Sequence, residues 1–482
     1  MMNKSTSTLL LFFIALLICF SELSFAETCT EGNCIDGKGT LTYADGGVYE
    51  GDFKGGKFEG RGMRKYEDGK IYEGEFRDGK FEGEGTLTFE GGGKYAGQFK
   101  SGKRDGHGVL NLPDGRRYDG EWKNNLYDGH GELTLADGAK YVGDFKNGIR
   151  EGRGIMTMPN GKVLSGEWKN NRLNGKGTVT LPDGERYEGD LKNGVFEGQG
   201  VITYPNGAMR TGEFRFGKQN GKGTFRHPNG ESYEGEYRDG TADGHGVLIL
   251  PDGATYTGEF RNGKYEGSGT LRMPNGAFYT GTFSNGTYEG SGSLTLADGT
   301  TYEGMFKTGK PEGQGTIIYA NKNKYEGEFR NGLPEGIGKI VYADGSIYTG
   351  EMKIGRREGR GTLELRDGRM YAGEFRNDLY DGKGKLVIPH RGTYEGEFKN
   401  GKFDGKGALF LLTGITLVCE HRSDQLNGPC VVTLKDGTVI RGEYKNGVAD
   451  GKWSYTTPSG ATKEWEMKDG MPEEIGQALK GI

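Results

Sequence analysis

The side chains of this sequence that could do chemistry are few in kind. Four cysteines stand outside an apolar N-terminal stretch (Cys29, Cys34, Cys419 and Cys430), and the chain has six histidines. An even number of thiols in an exported chain favours disulfides over metal or redox chemistry. His107, His130 and His245 share one D-G-H-G context, and the first two lie 23 residues apart. Two strand spacings put those two ~9.6 Å apart, whereas a shared ion needs nitrogens at ~2.0–2.1 Å, so they read as loop residues. The many Asp-Gly and Asn-Gly pairs lack the calcium-loop spacing and its later Glu. Carboxylates recur in pairs but mark no one-off pocket where a general acid and base would face a substrate. Gly-x-Gly strings abound, yet there is no G-x-x-x-x-G-K-[ST] segment and no H-R-D with D-F-G set. No catalytic residue, cofactor site or metal ligand is assigned. The chain is read as non-enzymatic.

The elements that position these residues follow from a repeat of 23 residues. From Tyr49 to Thr462 it runs without insertion or deletion, since 18 × 23 = 414 residues fill the span. With each unit numbered from its tyrosine, position 3 is Gly in 17 of 18 units, position 12 in all 18 and position 14 in 16, which makes the array one quasi-one-dimensional body. Tyr256, Gly258, Phe260, Gly267, Gly269, Leu271 and Gly276 mark the pattern in one unit. Positions 1, 3 and 5 alternate with polar 2, 4 and 6, and 14, 16 and 18 do likewise, so each unit holds two half-buried strands.

Between units stand triplets such as Pro274-Asn275-Gly276, which suit a type I turn closed by a left-handed glycine. A three-residue turn pairs Leu271 with Tyr279 and Gly269 with Gly281, leaving all apolar residues on one face. A two-residue turn would send tyrosines and leucines to opposite sides. Facing glycines leave troughs in which rings can lie over backbone, although glycines that merely permit bulges would show the same pattern. Cys419 and Cys430 occupy positions 3 and 14 of one unit, across a loop at positions 6–11, with Cβ atoms ~4.5–5.5 Å apart. A Cys419–Cys430 disulfide is expected, together with Cys29–Cys34.

On the other face position 4 is acidic in 15 of 18 units and position 6 basic in 17. These stripes read as a solvated, self-neutralising surface rather than a basic track for polyanions. The net charge of −5 favours neither nucleic acid nor anionic membrane. Residues 1–26 read as a signal peptide: Lys4, apolar Leu9–Phe20, then Ser24-Phe25-Ala26, with cleavage between Ala26 and Glu27. An uncleaved anchor is the alternative. Residues 27–48 form an N-terminal half-repeat cap, 49–462 the eighteen units, and 463–482 a partial repeat and tail. Straight, the array would measure about 170 Å.

The pattern Y-x-G-x-F-x-x-G-x-x-x-G-x-G followed by a D-G turn resembles the MORN (membrane occupation and recognition nexus) repeat over residues 26–470. The resemblance implies an all-β, elongated, twisted single antiparallel sheet of stacked hairpins, serving as spacer, scaffold, dimerisation module or membrane-associating segment. The expected function is a non-enzymatic exported scaffold, periplasmic or secreted. It would bind a protein partner or itself over several repeats, through a sheet edge or the apolar face. A cell-wall or glycan binder using aromatic rows, and a weak anionic phospholipid binder touching the membrane surface, are the alternatives. No nucleic-acid partner and no cofactor are expected.

Overall fold

The computed structural model describes residues 27–470, with side chains to residue 467; the signal-peptide segment 1–26 and the tail 471–482 lie outside the described residues. Among the described residues the chain is all-β, with 39 strands and no helix. It divides into two compact units at Pro205/Asn206. The first carries 16 strands, from Thr28–Gly32 to Val195–Thr203, and the second 23, from Met209–Arg215 to Thr462–Gly470. Within each unit every strand pairs antiparallel with the next in sequence, so connections are all hairpins.

The three-residue turn is present. Gly276 donates its N–H to the Met273 carbonyl (3.0 Å) and Met273 returns one to Ala277 (2.7 Å). The Asn275 side chain accepts the Ala277 N–H at 3.0 Å, and Gly276 sits at φ 87°, where a side chain would be strained. The register places Leu271 opposite Tyr279 and Gly269 opposite Gly281.

The stretch expected as a loop at positions 6–11 is instead a second hairpin. Asn262 (φ 49°) and Gly263 (φ 77°) form a two-residue turn of the primed kind that matches strand twist. Arg261 then pairs with Lys264 and Phe260 with Tyr265. Beyond this the second strand carries two extra residues before Gly258 meets Gly269, and the bulge is accommodated by Gly267 at φ 58°. This is why position 12 is glycine in every unit.

A one-layer sheet buries its rings by stacking them along itself. Tyr256, 0% exposed, lies over its own unit's glycines: a Cβ on Gly269 would stand 2.7 Å from its Cζ, and one on Gly258 2.6 Å from its hydroxyl. The hydroxyl donates to the Glu259 carbonyl (2.9 Å). Tyr265 stacks on the outer ring face at 3.8 Å, and Phe260 and Phe283 meet it edge-on at 5.0 Å each. Such contacts contribute roughly 0.5–1.5 kcal/mol apiece beyond area burial. Burial pushes the Tyr256 phenol up to about 12.

Where the pattern changes, the packing explains it. Leu417 replaces tyrosine in the unit whose facing glycines are Cys419 and Cys430, both buried. In the last unit Ile440 replaces tyrosine and the covering ring comes from position 14, where Trp453 lies over Gly442.

Position 11 binds one unit to the next. It is Asp or Glu in 15 units and Asn in the other 3, and its side chain accepts the N–H at the tip of the following hairpin. Glu266 takes Asn285 (3.0 Å), Glu312 takes Asn331 (2.9 Å) and Glu358 takes Asn377 (2.9 Å). Glu266→Ala is expected to lower local stability around residues 262–288 by about 1–2 kcal/mol, with Glu266→Gln losing less, as read from amide exchange at the two turns.

Candidate binding surface

The face opposite the rings presents positions 2, 4, 13 and 15. Between these rows the paired glycines leave only backbone, and the result is a trough whose floor is the Gly-Gly ladder itself. In the first compact unit it forms a hollow of about 1280 Å³ from Glu31 to Gly108. Gly51, Gly62, Gly74 and Gly85 lie along the floor, Glu50 and Glu73 on one bank and Arg61 and Glu84 on the other. In the second unit the same positions line hollows of about 480 Å³ at Arg360, Thr362 and Lys383 and about 560 Å³ at Lys385, Glu395 and Lys406. Backbone on the floor lets a bound chain approach closely, and the banks offer alternating acids, bases and hydroxyls at each repeat.

The charged rows are less free than their alternation suggested. Position-4 carboxylates turn inward to the bulge: Asp144 accepts the Arg153 N–H (3.0 Å) and Glu351 the Arg360 N–H (2.9 Å). Bases at position 6 lean toward position 11 of their own unit rather than position 4, as in Arg77–Glu82 (3.4 Å), Arg238–Asp243 (3.1 Å) and Arg376–Asp381 (3.4 Å). Position 13 reaches position 4 of the next unit, as in Lys176–Asp190 at 2.7 Å. Exposed pairs of this kind contribute little each.

His107 Nε2 faces Asp119 (3.3 Å) and His130 Nδ1 faces Asp144 (3.1 Å), so each ring has its own carboxylate in the following unit. The structure brings Cys29 together with Cys34 and Cys419 with Cys430, both within disulfide distance, with Cα atoms 6.0 Å and 4.1 Å apart. Tyr256, Phe260, Gly267, Leu271 and Gly276 serve the packing and turns of one unit, while Gly258 and Gly269 hold the positions that floor the trough in other units. The aromatic rows that a glycan binder would present are buried: Tyr279 is 0% and Phe283 1% exposed. The apolar face therefore offers a partner mainly its outer rings and leucines. Among the described residues no helix is long and apolar enough to cross a membrane.

Sequence reasoning missed one further arrangement. Where position 10 is Arg (Arg104, Arg150, Arg357), the guanidinium lies over a ring of the next unit, Trp122 at 4.2 Å, Trp168 at 5.0 Å and Phe375 at 5.3 Å. In those next units the turn glycine at position 8 is replaced by Asn125, Asn171 or Asp378, whose Oδ1 accepts the arginine's backbone N–H at 2.9–3.0 Å. The paired exception was visible as N-N, N-N and N-D in place of N-G, each 21 residues after an arginine.

Solved structures similar to the chain include the TCP domain of SAS-4 (dCPAP) of Drosophila melanogaster in complex with a proline-rich motif of Ana2 (dSTIL), 15% identical over 46% of this chain and 88% of that one, with a TM-score of 0.20. A single-substitution variant of the TCP10 domain of Danio rerio CPAP is 13% identical over 49% and 94%, with a TM-score of 0.19. At TM-scores this low the likeness carries no argument. No curated protein matches the chain in sequence. The model of the MORN repeat does match, in 17 segments from residues 35–48 and 49–71 through to 394–409. Its matches end at residue 409, although hairpins of the same register continue to Thr456. By these matches, spread over most of its length, the chain belongs to the MORN repeat family.

Proposed function

We propose that the protein is a non-enzymatic, exported scaffold that binds a protein partner, or another copy of itself, along the glycine-floored trough over several repeats. Repeats of this family are commonly scaffold or binding repeats and generally non-enzymatic. The observation that supports the reading most is the trough: the same positions line it unit after unit, in residues 31–108 and again in 360–406. A surface that offers one modest contact many times gains affinity with the number of units engaged. Near-balanced charge on the banks argues against simple attachment to anionic lipid, where ~1 kcal/mol per basic residue needs an excess of them.

A truncation series in steps of 23 residues, assayed against envelope extract and anionic liposomes, tests this. Graded loss of a protein partner is expected. Abrupt loss on removing one unit would reveal a discrete site instead, and tight liposome binding at physiological salt would favour the lipid alternative.

Export is supported by the Lys4 to Ala26 pattern and by two cysteine pairs at disulfide distance. The mature chain is expected to begin at Glu27 and, alkylated without reduction, to show no free thiol by intact mass. Reduction should weaken the hairpin closed by Cys419 and Cys430 by about 2–3 kcal/mol.

A further inference from the structure

Each unit is stitched to the one before it by the ring at position 5, whose edge meets the preceding tyrosine. Phe260 meets Tyr233 at 5.0 Å and Phe398 meets Tyr371 at 5.1 Å. One step later the stitch is an imidazole: His421 meets Tyr394 at 5.5 Å and Phe403 at 5.7 Å. Its own unit offers no tyrosine in return, because Leu417 stands at position 1. The Nδ1 of His421 is buried without a hydrogen-bond partner, and so are the Tyr444 hydroxyl and Trp453 Nε1 in the unit that follows. Each of these atoms would be solvated if its unit opened, so the packing beyond residue 416 is held less firmly than that of residues 325–399, which carry none. Arg210 Nε and Gln219 Oε1 share this property earlier in the chain. Cys419 and Cys430 join strands Thr416–Arg422 and Gln425–Thr433 to each other and neither to Lys402–Leu411. They keep the hairpin whole without fastening it to the array.

We infer that residues 416–456 form an acid-opened end of the array, in which neutral His421 holds the seam between strands Lys402–Leu411 and Thr416–Arg422 and its protonation releases it. The groups around the ring are few. Tyr394 comes from strand Gly392–Lys399, Phe403 and the backbone of Gly405 from Lys402–Leu411, Leu426 from Gln425–Thr433, and Asp424 from the turn. Asp424 carries the one carboxylate that acts on the imidazole, and it also accepts the Phe403 N–H at 2.8 Å. Burial holds the imidazole below its ordinary value, while Asp424 and the carbonyls of Cys419 and Gly405 oppose that shift without reversing it. A histidine depressed in this way binds fewer protons folded than unfolded. The seam is therefore at full strength above the unfolded value of about 6.5 and weakens as pH falls below it. Release would leave the N–H and C=O groups of Lys402–Leu411 unpaired on one side, an edge open to strand addition.

Amide exchange on the full mature chain at pH 7.5 and 5.0, corrected for intrinsic rates, tests the device. Protection across 416–456 should fall severalfold at pH 5.0 while that across 325–399 holds. His421→Phe, which restores the ring most units carry, should abolish the difference, and Asp424→Asn should move the opening to higher pH. Equal protection at both pH values would overturn the inference, as would a loss that persists in His421→Phe, since carboxylates would then be the cause.

Discussion

Gly269→Ala should cost about 3 kcal/mol, the upper range for forcing a methyl group into filled space. The new Cβ would stand 2.7 Å from Cε2 and Cζ of Tyr256, so the ring must lift from the sheet and surrender its stack on Tyr265 and its edge contacts with Phe260 and Phe283. Amide exchange across 256–283 reads this locally, which suits an array whose contacts are nearest-neighbour. Two comparisons separate crowding from backbone strain. Gly276→Ala, at φ 87° with nothing within 4 Å of the added carbon, should cost only about 1 kcal/mol. Combining Gly269→Ala with Tyr256→Leu should give far less than the sum, because the unit with Leu417 already accommodates side chains at both glycine positions. If Gly269→Ala costs as much beside leucine as beside tyrosine, the ring-over-glycine account fails.

That exception also shows how much could be read before any coordinates. The period, the odd-length turn between units and the covering of glycine by a ring all leave marks in residue type and spacing, because each binds the sequence to one face of a sheet. Even the opposed cysteines could be placed from their positions in the unit. The inner hairpin could not be read in the same way. Its bulge adds two residues between Tyr265 and Gly269, and an even insertion leaves the alternation of faces unchanged, so parity cannot report it. The remaining clue was glycine at position 12 in all 18 units, a residue demanded by φ rather than by packing. The acids have a second role that was hidden for a related reason. Exposed carboxylates in rows look solvated, yet Glu266 and Asp144 accept backbone N–H groups that the turns and bulges leave unpaired. The trough is a backbone shape, made where side chains are missing, and residue types on its banks do not announce it.

The same parity argument gives the second large effect. Deleting residues 256–278 removes one whole unit and joins Thr255 to Tyr279, so Leu248 faces Tyr279 as it now faces Tyr256. The shortened chain should fold with nearly unchanged thermal stability, since only one set of neighbour contacts is lost. Deleting residues 256–267 removes fewer atoms and should be far worse. It places Ser268 where Tyr256 stood, turns Gly269 and Leu271 to the polar face, and leaves Ser268 and Thr270 facing the ring row. With Tyr256, Phe260 and Tyr265 all lost and a leucine expelled, the local cost should be on the order of 5 kcal/mol or more, enough to unfold the hairpins on either side. Amide exchange across residues 233–301 of the two deletion variants distinguishes them. Equal protection in both would mean that the array tolerates a change of face, and the register described for every unit would lose its physical basis.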